Sequence, residues 1–344
     1  MTDPTAHPTR ADRRVPASMT AAYVTGPGPA SSIRIGELPT PEPGPTDVLV
    51  RAVALAVNQV DTFVRSGSYR TPMPSPFVIG RDLVGEVVEV GTGVAGFEVG
   101  DMVWSNSLGH AGRQGSFAGY SLVDAGRLYH LPGGVDPDLA VSLVHTAATA
   151  HLALFREGGL RLAETVLISG AGGGVGGAAV QLAHLAGARV IATASARDTE
   201  WCRDLGADVV IDHRDPSASE RIRREAPGGV DVHIDTSGRH DLETTVGLMA
   251  RGGRVIVLAG RGEHPTVPIG ALYTGDRSIR GFVISNAPAT DLAIAARSIN
   301  ALLARGRLRS RIALTLNLGD AARAHELLEN PDPGRKPGRI LVRP

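Results

Sequence analysis

The run Val166-Leu-Ile-Ser-Gly-Ala-Gly-Gly-Gly-Val-Gly-Gly-Ala-Ala-Val-Gln-Leu-Ala183 constrains this chain more than any other stretch. An apolar, strand-like segment enters a turn that is almost all glycine, and a helix-forming segment leaves it. In a parallel sheet the first small residue of such a turn permits the sharp change of direction. The second lets the backbone approach a pyrophosphate, and the third lets the helix pack closely on the strand, with the helix N-terminus facing the phosphates. Two registers satisfy this: Gly172, Gly174 and Gly177 as G-x-G-x-x-G, or Ala171, Gly173 and Gly176 as A-x-G-x-x-G. Both remain open at this level. In either one, the backbone of Ala171, Gly172, Gly173, Gly174, Val175 and Gly176 is the candidate phosphate cradle. A flexible glycine-rich loop would read the same in isolation, so the surroundings decide.

Those surroundings are six apolar runs, 166–169, 189–194, 208–211, 231–235, 254–258 and 278–284, alternating with helix-like segments at 174–186, 199–205, 218–226 and 242–250. Parallel strands buried on both faces read as short continuous apolar runs. Six βα units imply an α/β, doubly wound sheet of order 3-2-1-4-5-6, which puts the last strand, 278–285, at an edge. The chain before it is different. From Met19 to about Leu131 it is Val-rich and punctuated by Gly and Pro, which predicts a β-rich domain. Residues 136–155 then have helical spacing, and two further helices (291–304, 320–329) and a strand (339–342) follow the sheet. This tail is too short to stand alone and is expected to return to the N-terminal domain. The expected organisation is a disordered extension 1–18, a β-rich domain of 19–140 and 288–344, and a nucleotide-binding domain of 141–287.

Thirty-five basic and 35 acidic residues give a net charge of zero, which argues against general attraction to nucleic acid or anionic lipid. One stretch without charged residues, 166–187, is long enough to cross a bilayer, but its glycines, Gln181 and His184 mark it as strand, turn and helix, so no membrane partner is expected. The single cysteine, Cys202, excludes an internal disulfide and a Cys-rich zinc module, and suits a reducing, cytoplasmic setting.

The end of the second strand of a dinucleotide fold distinguishes the two nicotinamide cofactors. An acid there holds a ribose 2′-hydroxyl; its absence, with an arginine nearby, suits a 2′-phosphate. Here Thr193, Ala194 and Ser195 are neutral and Arg197 follows, with His213 after the third strand in reach of the same group. NADPH is therefore the expected cofactor. Asp198 counts against it if it points inward. Ser237, Ala259 and Gly260 follow the fourth and fifth strands, where ligands of such sheets collect.

With these features the chain resembles the medium-chain dehydrogenase/reductase superfamily, in its zinc-independent quinone oxidoreductase (zeta-crystallin-like) branch. The resemblance covers about Met19 to Pro344. It rests on Val57-Asn-Gln-Val-Asp-Thr-Phe-Val-Arg-Ser-Gly-Ser-Tyr69, Gly80-Arg-Asp-Leu-Val-Gly-Glu86, the glycine-rich turn, Gly252-Gly-Arg-Val-Ile-Val-Leu-Ala-Gly260 and Ala324-His-Glu-Leu-Leu-Glu329. It implies a GroES-like catalytic domain split by a Rossmann domain, bound NADPH, and a homodimer or tetramer in which strand 278–285 pairs with its copy. It also implies that Asn58 and Tyr69 lie nearest the reacting centre, that Phe63 replaces a second tyrosine, and that His145, Thr146 and Thr149 face the substrate and cofactor. Where zinc-dependent members carry a Cys and a His ligand, this chain has Asn58 and Arg81. An amide is a poor zinc ligand and a guanidinium is none, so no metal is expected. His110, in the loop 105–115, reads as a solvated loop histidine, with lining of the substrate opening as the alternative, and Trp104 and Trp201 read as packing residues.

Without a Lewis acid an alkoxide from a simple alcohol is poorly stabilised, so the expected substrate is intrinsically electrophilic. The expected reaction is hydride transfer from NADPH to a quinone or to an alkene conjugated to a carbonyl. A dedicated enoyl reductase of an acyl thioester, and a non-catalytic NADPH-binding structural or sensor protein, are the alternatives.

Overall fold

Val48–Ala56 has no polar residue except Arg51, and it forms the central strand of the N-terminal sheet because nearly every side chain on it is buried. The computed structural model describes residues 14–330, 334 and 336–344. The expected extension therefore lies mostly outside the described residues, and the first strand begins at Ser18. The described chain forms two units. The first comprises residues up to Val141, Ile312–Lys336 and Ile340–Pro344; the second comprises Ser142–Arg311 and Pro337–Arg339.

The first unit opens with β1 (Ser18–Val24), β2 (Arg34–Pro39), β3 (Asp47–Ala56), α1 (Gln59–Arg65), β4 (Phe77–Val78) and β5 (Asp82–Val90). It continues with β6 (Met102–Ser105), β7 (Tyr120–Asp124) and β8 (Tyr129–His130). Strand β3 pairs antiparallel with both β5 and β7. Its register against β5 sets Ala56 opposite Asp82. This brings the residues leaving β3, Val57 and Asn58, beside those entering β5, Arg81 and Asp82. The core gathers Val48, Val50, Leu55, Phe77, Leu83 and Phe117, all within 1% of full burial.

Helix α2 (Pro137–His151) runs on as a π-helical turn, Leu152–Glu157. It is the one helix among the described residues long and apolar enough to cross a membrane, and 83% of its apolar window is buried in the protein, the position of a core helix. The second unit follows with β9 (Thr165–Ser169), α3 (Gly174–Leu185), β10 (Arg189–Ala194), α4 (Thr199–Asp204), β11 (Val209–Asp212) and α5 (Ala218–Glu225). It is completed by β12 (Val230–Asp235), α6 (Leu242–Leu248), β13 (Met249–Val257), α7 (Ile269–Thr274), β14 (Ser278–Gly281) and α8 (Ala289–Ala304). The sheet is parallel, in the order β11-β10-β9-β12-β13-β14, which is the expected doubly wound arrangement.

Three expectations need correction. The last strand stops at Gly281 rather than 285, because its neighbour β13 ends at Val257, opposite Gly281, and leaves no ladder beyond it. The fifth strand starts at Met249, earlier than expected, and α6 ends at Leu248. Helix α8 was expected with the β-rich domain, but the unit boundary falls after Arg311, not 287. Asp291 is ion-paired with Arg156 (3.0 Å) and Ser298 is hydrogen-bonded to His151 (3.2 Å), so α8 is tied to the second unit. The chain then returns to the first unit as β15 (Ile312–Asn317), α9 (Ala321–Glu329) and β16 (Arg339–Arg343), and β16 pairs with β3. Strand β15 and helix α7 have no counterpart in the sequence reading.

Candidate functional site

In the second unit the turn after β9 settles the register. Gly170 has φ +78°, a conformation that L side chains rarely adopt, and it starts the turn. A Cβ on Gly176 would lie 2.3 Å from Gly170 O and 2.8 Å from Ala171 Cα. Both are backbone atoms, so the close approach of helix to strand requires glycine at 176. At Gly177 the nearest atom is a leucine methyl at 3.2 Å, which can move. The Ala171/Gly173/Gly176 register is therefore the structural one. Gly173 is the N-cap of the twelve-residue α3 and supplies no side-chain cap, so the first-turn N–H groups face the turn without a capping side chain. This is a cradle suited to a pyrophosphate. Thr146 borders it, since its methyl lies 3.0 Å from a Cβ built on Gly174. Thr146 and Thr149 donate their hydroxyl protons to Leu143 O (3.1 Å) and His145 O (2.9 Å), and His145 is buried.

At the end of β10, Ser195 and Arg197 both lie against Asp198, which Arg311 also reaches. The backbone N–H of His213 donates to Ala194 O (3.1 Å), which ties His213 to the end of β10. Asp198 does turn inward. It accepts from Ser195 Oγ (2.7 Å) and from Arg311 Nη2 (2.8 Å), and a Cβ on Gly172 would sit 2.7 Å from its carboxylate. Arg311 also donates to Gly172 O (2.9 Å) and lies over the Trp201 ring, 4.8 Å from its centre. The Asp198 charge is thus neutralised by Arg311, with Arg197 Nε 3.7 Å from the same carboxylate, and Arg197 keeps about half its side chain exposed (55%). Trp201 holds two guanidinium groups, since Arg309 also lies over it. Arg311 had no local sequence signal, because it lies in the connection after α8, far from any motif. The lone thiol is structural: burial pushes Cys202 up to about 11, so it is no nucleophile at neutral pH.

At the ends of β12 and β13, Asp235 accepts from Ser237 N (2.9 Å), Ser237 Oγ (2.7 Å) and His240 Nδ1 (2.8 Å). His240 Nε2 reaches Ala259 O at 2.9 Å. Both partners of the ring are acceptors, so it holds both contacts only as the imidazolium. Burial opposes that charge, but the bonds to Ala259 O and Asp235, with Glu263 nearby, raise the His240 pKa. This clamp fixes the loops that carry Ser237, Ala259 and Gly260. The sequence reading missed it; the only signal was a histidine five residues after a strand-end aspartate.

The first unit holds a second polar cluster. Asn58 is the N-cap of α1 and is 2% exposed. Its backbone N–H donates to Asp61 Oδ2 (2.8 Å) and its side-chain Nδ2 to Asp82 Oδ2 (2.8 Å). The bond to Asp82 fixes the plane of the Asn58 amide. Arg81, 1% exposed, lies 4.0 Å from Asp61. Tyr69 is half-buried, tied to Phe63 by its backbone (2.9 Å), and its ring lies 5.8 Å from that of His110. His110 departs from the solvated histidine expected. It is half-buried, its Nδ1 has no hydrogen-bond partner among the described residues, and burial with Arg81, Arg113 and Arg127 lowers it to about 4, so it is neutral at physiological pH. Trp104 is fully buried against Tyr129. Among the described residues no group of three or more His, Cys, Asp or Glu is placed to hold a metal ion.

Comparison with known proteins agrees with both halves of this description. Residues 44–133 match the alcohol dehydrogenase GroES-like domain, and residues 174–299 match the family described as zinc-binding dehydrogenase. The quinone oxidoreductase of Sus scrofa is 32% identical over 288 residues, covering 83% of this chain and 86% of that protein. A crystal structure of an NAD-dependent alcohol dehydrogenase superposes with TM-score 0.86 at 31% identity, over 95% of this chain and 100% of that one. The Escherichia coli quinone oxidoreductase solved with NADPH gives TM-score 0.83 at 25% identity, over 94% and 100%. The glycine cradle on a 3-2-1-4-5-6 sheet, the β-rich unit that precedes it and rejoins the chain after it, and these likenesses show that the chain is an oxidoreductase of the medium-chain dehydrogenase/reductase superfamily and belongs to its quinone oxidoreductase family.

Proposed function

We propose that the protein transfers hydride from NADPH to a quinone or to an alkene conjugated to a carbonyl, without a metal ion. The observation that carries the reading is the pair at the first unit's cluster: an amide braced by Asp82 and a buried guanidinium, at the two positions to which the resemblance assigns the zinc ligands of zinc-dependent members. The turn Ala171–Gly176 and the open N-terminus of α3 suit the pyrophosphate, and Ser195, Arg197 and His213 suit a 2′-phosphate. NADPH, when bound, supplies the hydride. The chain's own part is to position the acceptor and to offer hydrogen bonds to the oxygen that gains charge, from Asn58 and, more weakly, Tyr69. A relative solved with NADPH supports the cofactor, and a cytoplasmic setting goes with the single buried thiol. Steady NADPH oxidation with quinones or enones tests the reading. If acyl-thioester enoyl substrates alone are reduced, the dedicated enoyl reductase replaces it. NADPH binding without turnover on any of them leaves a structural or sensor protein.

Cofactor choice is expected to follow Arg197. NADPH should bind more tightly than NADH, and Arg197→Glu should narrow the ratio by about ten- to a hundredfold, the value of a charge-assisted phosphate contact of roughly 1.5–3 kcal/mol. Calorimetry with both cofactors checks it; equal wild-type affinities would refute the assignment. Dialysis against a chelator is expected to leave turnover and thermal midpoint unchanged, and stoichiometric zinc in the purified protein would overturn the metal-free reading.

For the assembly, we propose a homodimer built on segment 278–285. Strand β14 has a sheet neighbour on one side only, and an open edge invites pairing. Light scattering at micromolar concentration should give twice the chain mass, and a monomer mass would exclude the pairing.

A further inference from the structure

The first unit contains a buried cation with two nitrogens that have no hydrogen-bond acceptor among the described residues. Arg81 is 1% exposed, and neither Nε nor Nη2 has a hydrogen-bond partner among the described residues. These two nitrogens form one edge of the guanidinium fork, where two N–H bonds run side by side and fit an oxygen that accepts both. Leaving such donors unpaired is costly, and burial already lowers the Arg81 pKa against the attraction of Asp61, Asp82 and Tyr69. The neighbouring carboxylates do not relieve it. Asp61 is 4.0 Å from Nε, beyond hydrogen-bond distance, and its Oδ2 is held by the Asn58 N–H. Asp82 Oδ2 accepts from the Asn58 amide. Beside Arg81, His110 is neutral and feels Arg113 and Arg127 as well. Asp61 and Asp82, whose Oδ1 also has no hydrogen-bond partner among the described residues, offset the charge through space, and what the arrangement lacks is an oxygen that accepts from the Nε–Nη2 edge.

We infer that the Nε–Nη2 edge of Arg81 takes the substrate's carbonyl oxygen and holds the negative charge that hydride transfer places on it. This rests on the reductase reading above and names the group that does the work of a Lewis acid in it. In an enone the hydride forms a C–H bond at the β carbon, and the alkene π pair becomes the new Cα–C double bond. The carbonyl π pair becomes a lone pair on oxygen. NADPH is oxidised to NADP⁺, and a solvent proton later bonds to the α carbon. Arg81 gives up no proton; it binds the enolate oxygen more strongly than the carbonyl, which lowers the barrier.

The test uses the full chain with two variants, Arg81→Lys and Arg81→Met, and two readouts. The first is enone reduction. The second is binding of 4-nitrophenolate to the protein saturated with NADP⁺, since its oxygen carries the charge of an enolate and its absorbance reports the anion. Both variants are expected to bind NADPH within a few fold of wild type. They should lose about a hundredfold or more in kcat with little change in KM, and bind 4-nitrophenolate at least about tenfold more weakly. Arg81→Lys keeps the charge, so an unchanged thermal midpoint in it separates this loss from misfolding. A rise in KM with kcat retained, or unchanged 4-nitrophenolate affinity in a folded variant, overturns the inference. If wild type reduces no enone yet binds 4-nitrophenolate through Arg81, the reductase reading fails and the oxyanion site stands. If it reduces enones and the phenolate is indifferent to Arg81, the inference fails alone.

Discussion

Asn58→Ala is expected to lower turnover with the best quinone or enone by about a hundred- to a thousandfold, the roughly 2.7–4 kcal/mol attached to a donor that acts on developing charge. Asp82 accepts from the Asn58 amide at 2.8 Å and so fixes the plane of that group. NADPH affinity should stay within a few fold, because the glycine cradle lies in the other unit. Stability should fall by about 1 kcal/mol, since Asn58 also caps α1. Tyr69→Phe should cost less, because solvent can deliver a proton in its place. Steady-state kinetics with a melting curve for each variant checks this. Full turnover in a folded Asn58→Ala protein would reduce the residue to a brace for its loop.

Acid should destabilise the first unit through His325. This side chain of α9 is fully buried edge-on to Phe117, and neither ring nitrogen has a hydrogen-bond partner among the described residues. Burial, with Arg65 nearby, lowers it from 6.5 to about 3. The folded histidine is then neutral while the unfolded one gains a proton below 6.5. Stability is therefore fully present above that value and is lost as pH falls, by about 1.4 kcal/mol per pH unit. Between pH 7.5 and 5 the loss is about 2 kcal/mol from this group. His325→Leu, close in volume and without the polar atoms, should remove that slope and be neutral or stabilising at pH 7.5. Equal acid slopes for wild type and His325→Leu in denaturant titrations would refute the linkage. His233 in β12, buried and lowered to about 4, acts in the same direction in the second unit, but there the raised His240 opposes it, so His325 gives the clearer measurement.

The parallel sheet was legible because each of its strands is a short apolar run closed by turn residues, a pattern that survives without knowledge of neighbours. Strand β15 was missed because its side chains are mostly exposed or half-buried, with no face given wholly to a core. The boundary at Arg311 was misjudged because the contacts of α8 with Arg156 and His151 join residues more than 130 apart. The glycine-rich turn between strand and helix was readable, but which glycine makes the close approach needed Gly176 against Gly170. Asp198 was ambiguous until Arg311, 113 residues away, was seen to neutralise it. The burial of His110 was hidden for the same reason: Tyr69, Arg81 and Arg127 reach it from separate segments, and only Arg113 is local.

The most direct measurement is the fate of a label. The metal-free protein is given an enone and NADPH deuterated at nicotinamide C4 on the transferred face. One deuterium per product is expected at the β carbon of the saturated ketone, with one NADP⁺ formed for each. Failure of quinones and enones alike to oxidise NADPH, or reduction that appears only after a divalent metal is added, would contradict metal-free hydride transfer to an electrophilic acceptor.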